Sequence, residues 1–217
     1  YEKLGGKVVG EIKTAFGSPD MAPYITQALA KAAETDFLWA YLVGGDAIQF
    51  VKTAEGFGLK DKLKLFANGE MFAEAILPAE GDAAVGYMNY IEGFVPTAKN
   101  PEAVQFIKLL TDKYGAKGFS ALEFNGWLAA QAIVEAAKKV NGNVEDRAAF
   151  EKALREVSFK DPNGATFKFD ANQGTNVKVY IARIAKQGTL ELREILDTIT
   201  DVDQFWTPDK LKPATGR

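Results

Sequence analysis

Phe37-Leu38-Trp39-Ala40-Tyr41-Leu42, followed at once by Val43-Gly44-Gly45-Asp46, is the stretch that decides the fold. Apolar residues without alternation read as a strand covered on both faces, with Trp39 in the core, as in a parallel sheet between helix layers. Two glycines and an acid then turn the chain into a helix with Ile48, Val51 and Phe57 inward and Gly58 as its stop. Upstream, residues 7–12 are a β-rich run and residues 14–19 a loop. Asp20 is placed to cap a helix over residues 21–33. Downstream, residues 63–67 read as a third strand ended by Asn68-Gly69-Glu70, and residues 84–91 carry a fourth. Strands alternating with helices across short glycine-containing loops predict an α/β fold, a parallel sheet flanked by helices.

The pattern changes after Gly93. Asn100-Pro101-Glu102 is a helix start, with Asn as cap, Pro at the first helical position and an acid in the first turn. That helix runs to Tyr114-Gly115, and two more follow over residues 123–140 and 146–157. Asp161-Pro162-Asn163-Gly164 is a turn, and residues 166–169, 177–185 and 190–195 are strands, the last two joined at Lys186-Gln187-Gly188. The chain therefore divides into a βα block (1–92), a helical block (93–176) and return strands with a polar surface tail anchored by Trp206 (177–217). Helices without intervening strands point to a sheet formed partly elsewhere. Tyr1-Glu2-Lys3-Leu4-Gly5-Gly6 reads as the end of a helix, so residues are expected upstream.

Composition excludes several kinds of chemistry. The 217 residues contain no Cys and no His. The thiolate nucleophile, the usual general base and the usual zinc ligands are absent. Carboxylates, Lys and Ser remain, but no catalytic constellation of them is visible. Asp201 and Asp203, an i, i+2 pair, read as solvated turn residues, and no metal or other cofactor is expected. A net charge of −3 gives no electrostatic case for nucleic acid. The apolar runs are too short to cross a bilayer.

In open parallel sheets, ligands bind beyond the C-terminal ends of the strands. That rule selects residues 13–19, 43–46, 67–72 and 91–97. Thr14 and Phe16 lie in the first of these loops. Gly44 and Gly45 offer bare N–H groups to an anion at a helix start, or form a tight βα turn with Asp46 as the cap; the two readings are compatible. Asn68, Glu70 and Met71 follow a buried strand. Glu70 is either an acceptor for a cationic ligand group or an exposed loop carboxylate. Trp127 either stacks on a ligand or fills the core of its helix.

Taken in order, EKLGGKVVGE, FLWAYLVGGDAIQFVKTAEGFGLK, LFANGEM, GWLAAQAIVEAAKKVNGNVEDRAAFEKAL, PNGATFKFDANQGTNVKVYIARI and VDQFWTPDKL resemble the periplasmic solute-binding proteins of branched-chain amino-acid type ABC transporters. The chain is similar to the C-terminal three-fifths of such a protein. The resemblance implies a type I two-lobed fold and an exported, periplasmic or extracellular, non-catalytic receptor. Its implied partners are a small-molecule ligand, either an amino acid or an aromatic or aliphatic carboxylate, and the membrane permease of an ABC importer. A ligand-sensing domain of a regulator or receptor with the same fold is the alternative.

By the same resemblance, residues 1–92 correspond to the C-terminal lobe and residues 93–176 to part of the N-terminal lobe. Glu70 falls where a glutamate of amino-acid binders meets the ligand ammonium. Asn68, Met71, Val43, Gly44, Gly45 and Phe16 from the strand-end loops, with Trp127, complete the candidate ligand-binding set. Val43 and Gly44 stand where many members carry an aromatic residue, and Asn176 where the family often has proline.

Overall fold

The computed structural model describes Glu2 and residues 5–94, 98–115, 121–187 and 190–202. Its main sheet has five strands in the order β1-β2-β3-β6-β7. They are β1 (Phe37–Ala40), β2 (Lys64–Ala67), β3 (Met88–Glu92), β6 (Val177–Gln187) and β7 (Leu190–Val202). The pairs β1–β2 and β2–β3 are parallel. β6 runs opposite to β3: Gly86 N–H donates to Ile184 O, and Gly93 N–H to Lys178 O. A separate antiparallel pair joins β4 (Ser158–Lys160) and β5 (Thr166–Lys168). The fold is therefore α/β with a mixed sheet, parallel in its first three strands.

The chain forms two compact units, Tyr1–Tyr90 with Tyr180–Asp197, and Ile91–Val179 with Thr198–Arg217. In the first, α1 (Ala22–Leu29) and α2 (Gly44–Gly56) bury Ile25, Ala28, Ala47, Phe50, Val51 and Ala54 against Ala40, Leu65 and Ala67 of the sheet. The i, i+3, i+4 spacing within α2 is what an amphipathic helix needs to bury one face. The second unit holds α4 (Pro101–Tyr114), α5 (Ala121–Lys139) and α6 (Arg147–Arg155). The Asp146 carboxylate caps α6 by accepting from Ala149 N–H at 3.1 Å. Phe94, Phe106 and Phe124 form one aromatic cluster there, with Phe106 edge-on to Phe94 at 5.0 Å between ring centres.

Gly93 ties this unit together. Its N–H donates to Lys178 O at 3.2 Å, and its C=O accepts from Asn163 Nδ2 at 2.8 Å. Its φ of +85° is left-handed, and a Cβ at this position would lie 2.8 Å from the Phe124 ring. Only glycine meets both demands.

Several expectations are corrected. Residues 7–12 are not a strand: no described strand lies beside them, and a β ladder needs a partner. Trp39 is not core but 47% exposed, because among the described residues α1 and α2 pack on the opposite face of β1 and none covers its own. α1 stops at Leu29, where Lys31 N–H turns to Ala28 O in a tighter i→i+3 pattern that continues as a short 3-10 turn at Ala32–Glu34. The fourth strand starts at Met88 because Ala84 closes a 3-10 turn and Gly86 takes φ +92°. β4, which the sequence reading passed over, pairs with β5. β7 extends through Asp201 to Val202, so Asp201 belongs to a strand rather than a turn. Gly188, Asp203 and Trp206 lie outside the described residues.

Candidate functional site

The loops after β1 and β2 are held together by Asn68. Its backbone N–H donates to Ala40 O at 3.1 Å, and its side-chain Oδ1 accepts from Leu42 N–H at 3.3 Å. Asn68 is 1% exposed, so this amide spans the two strand ends from inside. It also begins the 3-10 turn Gly69–Phe72 that carries Glu70 and Met71. Met71 faces the core and is fully buried. Glu70 is half-buried, and among the described residues no hydrogen bond or ion pair engages its carboxylate.

The loop after β1 turns directly into α2. Val43 is the residue before the helix, in extended conformation, and Gly44 opens the helix at φ +56°. Gly44 and Gly45 are exposed, and no other group lies within 4 Å of a Cβ built at either. Asp46 is not the cap: it sits inside the first turn, and its Oδ2 accepts from Gly17 N–H at 2.9 Å. The correction follows from position, since Val43 already occupies the cap. The bond draws residues 13–19 against the loop after β1. Phe16, at the tip of that segment, is 90% exposed.

Val43, Gly44, Gly45, Asn68, Glu70 and Phe16 thus share the C-terminal ends of β1 and β2 in the first unit. Trp127 belongs to the second unit, where its ring packs edge-on against Phe106 and Phe159, at 5.8 and 6.0 Å between ring centres. Residues 95–97 of the fourth selected loop lie outside the described residues.

Sequence reading missed a buried charged group next to Glu70. Arg193, on β7, donates to Glu74 Oε2 at 2.6 Å, and the residue is 6% exposed. Burial pushes the Glu74 carboxyl up, and Arg193 opposes it; the Glu70 charge adds a further push upward. Glu80 is 2% exposed with neither carboxylate oxygen hydrogen-bonded. Its burial raises the carboxyl to about 8, against a smaller pull from Arg193. An arginine alternating with apolar residues in Leu190-Glu191-Leu192-Arg193-Glu194-Ile195 was the available signal, but its partners lie more than a hundred residues away.

No group of three or more His, Cys, Asp or Glu among the described residues is placed to hold a metal ion. No described helix is long and apolar enough to cross a membrane.

Loops gathered at the C-terminal ends of parallel strands are where open α/β sheets hold ligands. The chain belongs to the Periplasmic binding protein family, whose profile matches residues 1–189. The Leu/Ile/Val-binding protein homolog 6 of Brucella melitensis biotype 1 is 24% identical over 199 residues, 90% of this chain and 50% of the relative. The ABC transporter substrate-binding protein from Sphaerobacter thermophilus superposes with a TM-score of 0.85 at 29% identity, over 92% of this chain and 54% of that one. A solute-binding protein of an ABC transporter from R. palustris, solved with benzoate, superposes with a TM-score of 0.79 at 23% identity, over 92% and 52%. The chain spans about half the length of the curated relatives it matches.

Proposed function

We propose that this chain is part of an exported solute receptor of an ABC importer, binding an amino acid or small organic acid without transforming it. Membership of the Periplasmic binding protein family supports the receptor class. The absence of Cys and His from the sequence supports binding over catalysis. In this reading residues 1–92 supply the C-terminal lobe and residues 93–176 part of the N-terminal one, and the receptor's partner is the importer's permease.

One observation carries the ligand class. Glu70 holds a half-buried carboxylate at the end of β2, and no described group spends its acceptors. An α-amino acid brings an ammonium, which needs an ionised partner once water is excluded. The N–H groups of Gly44 and Gly45, in the first turn of α2, sit at the positive end of that helix and suit a carboxylate, but a single anionic ligand beside Glu70 would be repelled. The benzoate bound by the R. palustris protein keeps a simple aromatic acid as the second reading.

A thermal-shift screen of a polypeptide of the relatives' length tests the class. Binders of the native state raise the melting temperature according to concentration over Kd. A rise with one or more α-amino acids at micromolar concentration is expected. No rise with any amino acid or aromatic acid contradicts the receptor reading.

A further inference from the structure

The segment that carries Glu70 is pinned at both ends by buried side chains of the first unit. At one end Asn68 bonds to the Ala40 carbonyl and the Leu42 amide at the end of β1. Met71 and Phe72 follow, both fully buried, and Ala73 N–H donates to Glu70 O at 3.4 Å. At the other end Glu74 accepts from Arg193 Nη2 at 2.6 Å, just before α3 (Leu77–Glu80) begins. Glu70 and Glu74 therefore share one short, tethered stretch beside a single buried guanidinium.

That guanidinium feels three carboxylates. Burial pushes Arg193 down from its ordinary value; the Glu74 charge opposes this most, then the Glu70 charge, and the Glu80 charge least. Glu80, raised to about 8 by burial, keeps its proton at neutral pH and offers no full negative charge there. Arg193 still has donor capacity: its Nε is buried without a hydrogen-bond partner among the described residues. A buried charge that loses its partner is costly, so an arginine deprived of Glu74 is driven toward the next carboxylate. By strength of interaction that carboxylate is Glu70.

We propose that Glu74 is a positioning residue for ligand specificity: by holding Arg193 it keeps the guanidinium off Glu70 and leaves the Glu70 carboxylate open to a ligand cation. The proposal rests on the reading of Glu70 as the ammonium acceptor and names what keeps that acceptor free. Without Glu74 the protein carries its own competitor. Arg193 then satisfies Glu70 from inside, and an incoming ammonium has to displace it. A ligand whose only charge is a carboxylate gains from the same exchange, because the anion beside it is neutralised.

Isothermal titration calorimetry at pH 7 on a polypeptide of the relatives' length tests this, with the common α-amino acids and benzoate as probes. Glu74→Gln keeps the shape of the side chain and removes its charge. It should weaken α-amino acid binding roughly tenfold and leave benzoate binding unchanged or improved. Adding Arg193→Met removes the competitor and should bring the Kd back to within about twofold of the parent. In a Glu70→Gln background, Glu74→Gln should change the Kd by less than about twofold, since the residue acts through Glu70. Glu74→Asp, which keeps the charge but shortens its reach, is the milder variant should Glu74→Gln fail to fold, and should shift the Kd in the same direction. Thermal melts confirm that each variant is folded. Three results overturn the proposal. The first is an unchanged Kd in the Glu74 variants. The second is a Glu74→Gln, Arg193→Met protein that binds no tighter than Glu74→Gln, which marks a merely structural role. The third is an equal loss in the Glu70→Gln background. A parent that binds no α-amino acid fails earlier, at the reading of Glu70 itself, and takes the proposal with it.

Discussion

Arg193 on β7 donates to the Glu74 carboxylate at 2.6 Å, a bond that closes 119 residues of chain inside the first unit. Both partners have left water: the side chains of Arg193 and Glu74 are 5% and 17% exposed. Breaking a buried pair by removing one partner costs about 3–5 kcal/mol, because the other charge stays behind unpaired. Arg193→Met should therefore lower stability by that order in urea denaturation followed by circular dichroism. The double substitution Glu74→Gln with Arg193→Met should lose less than Arg193→Met alone. An additive loss in the double variant would show that the two residues do not act as a pair.

Glu80 gives stability a pH dependence of known sign. Its carboxyl is raised from an ordinary value near 4.5 to about 8 in the folded protein, chiefly by burial. Below pH 4.5 both states hold the proton and nothing is lost. Between 4.5 and 8 the unfolded chain releases the proton while the folded one keeps it, so stability falls as pH rises; above 8 the loss is constant. Glu80→Gln removes this slope and should be more stable than the parent at pH 8, on the order of a few kcal/mol. Parallel stability–pH curves for the two proteins between pH 5 and 8 would rule the assignment out.

Gly93→Ala should destabilise the second unit. The substitution places a Cβ 2.8 Å from the Phe124 ring at φ +85°. A strained backbone and an overpacked contact each cost about 1–3 kcal/mol. The loss should appear in the denaturation midpoint and be partly relieved by Phe124→Leu. A Gly93→Ala protein as stable as the parent would contradict the described contact.

The parts of the fold legible in the sequence were those with local signals. The start of α6 near Asp146, Asn100-Pro101 opening α4 and the run of residues 37–42 each carry their instruction within a few residues. The approximate extent of α2 followed from its apolar spacing and the Gly58 stop. What failed depended on partners distant in sequence. Residues 7–12 have the composition of a strand, but no described strand lies beside them; Trp39 has the composition of core, but no described layer covers it. In the candidate site, the clustering of residues 43–45 with 68–70 followed from the rule about strand ends. That Asn68 would be spent on Leu42, and Asp46 on Gly17, did not, since side-chain bonds between loops leave no periodic trace. The Arg193 group stayed hidden for the same reason.

Glu70 is proposed to receive the ammonium of an amino acid. Isothermal titration calorimetry on a polypeptide of the relatives' length tests it, with a panel of α-amino acids and benzoate on the parent and on Glu70→Gln. A charge-assisted hydrogen bond contributes about 1.5–3 kcal/mol, and about 1.4 kcal/mol is a factor of ten in Kd. An α-amino acid is expected to bind, and Glu70→Gln to weaken it roughly tenfold or more, while binding of a simple aromatic acid stays unchanged or improves. An amino acid whose Kd stays within about twofold in Glu70→Gln would contradict it.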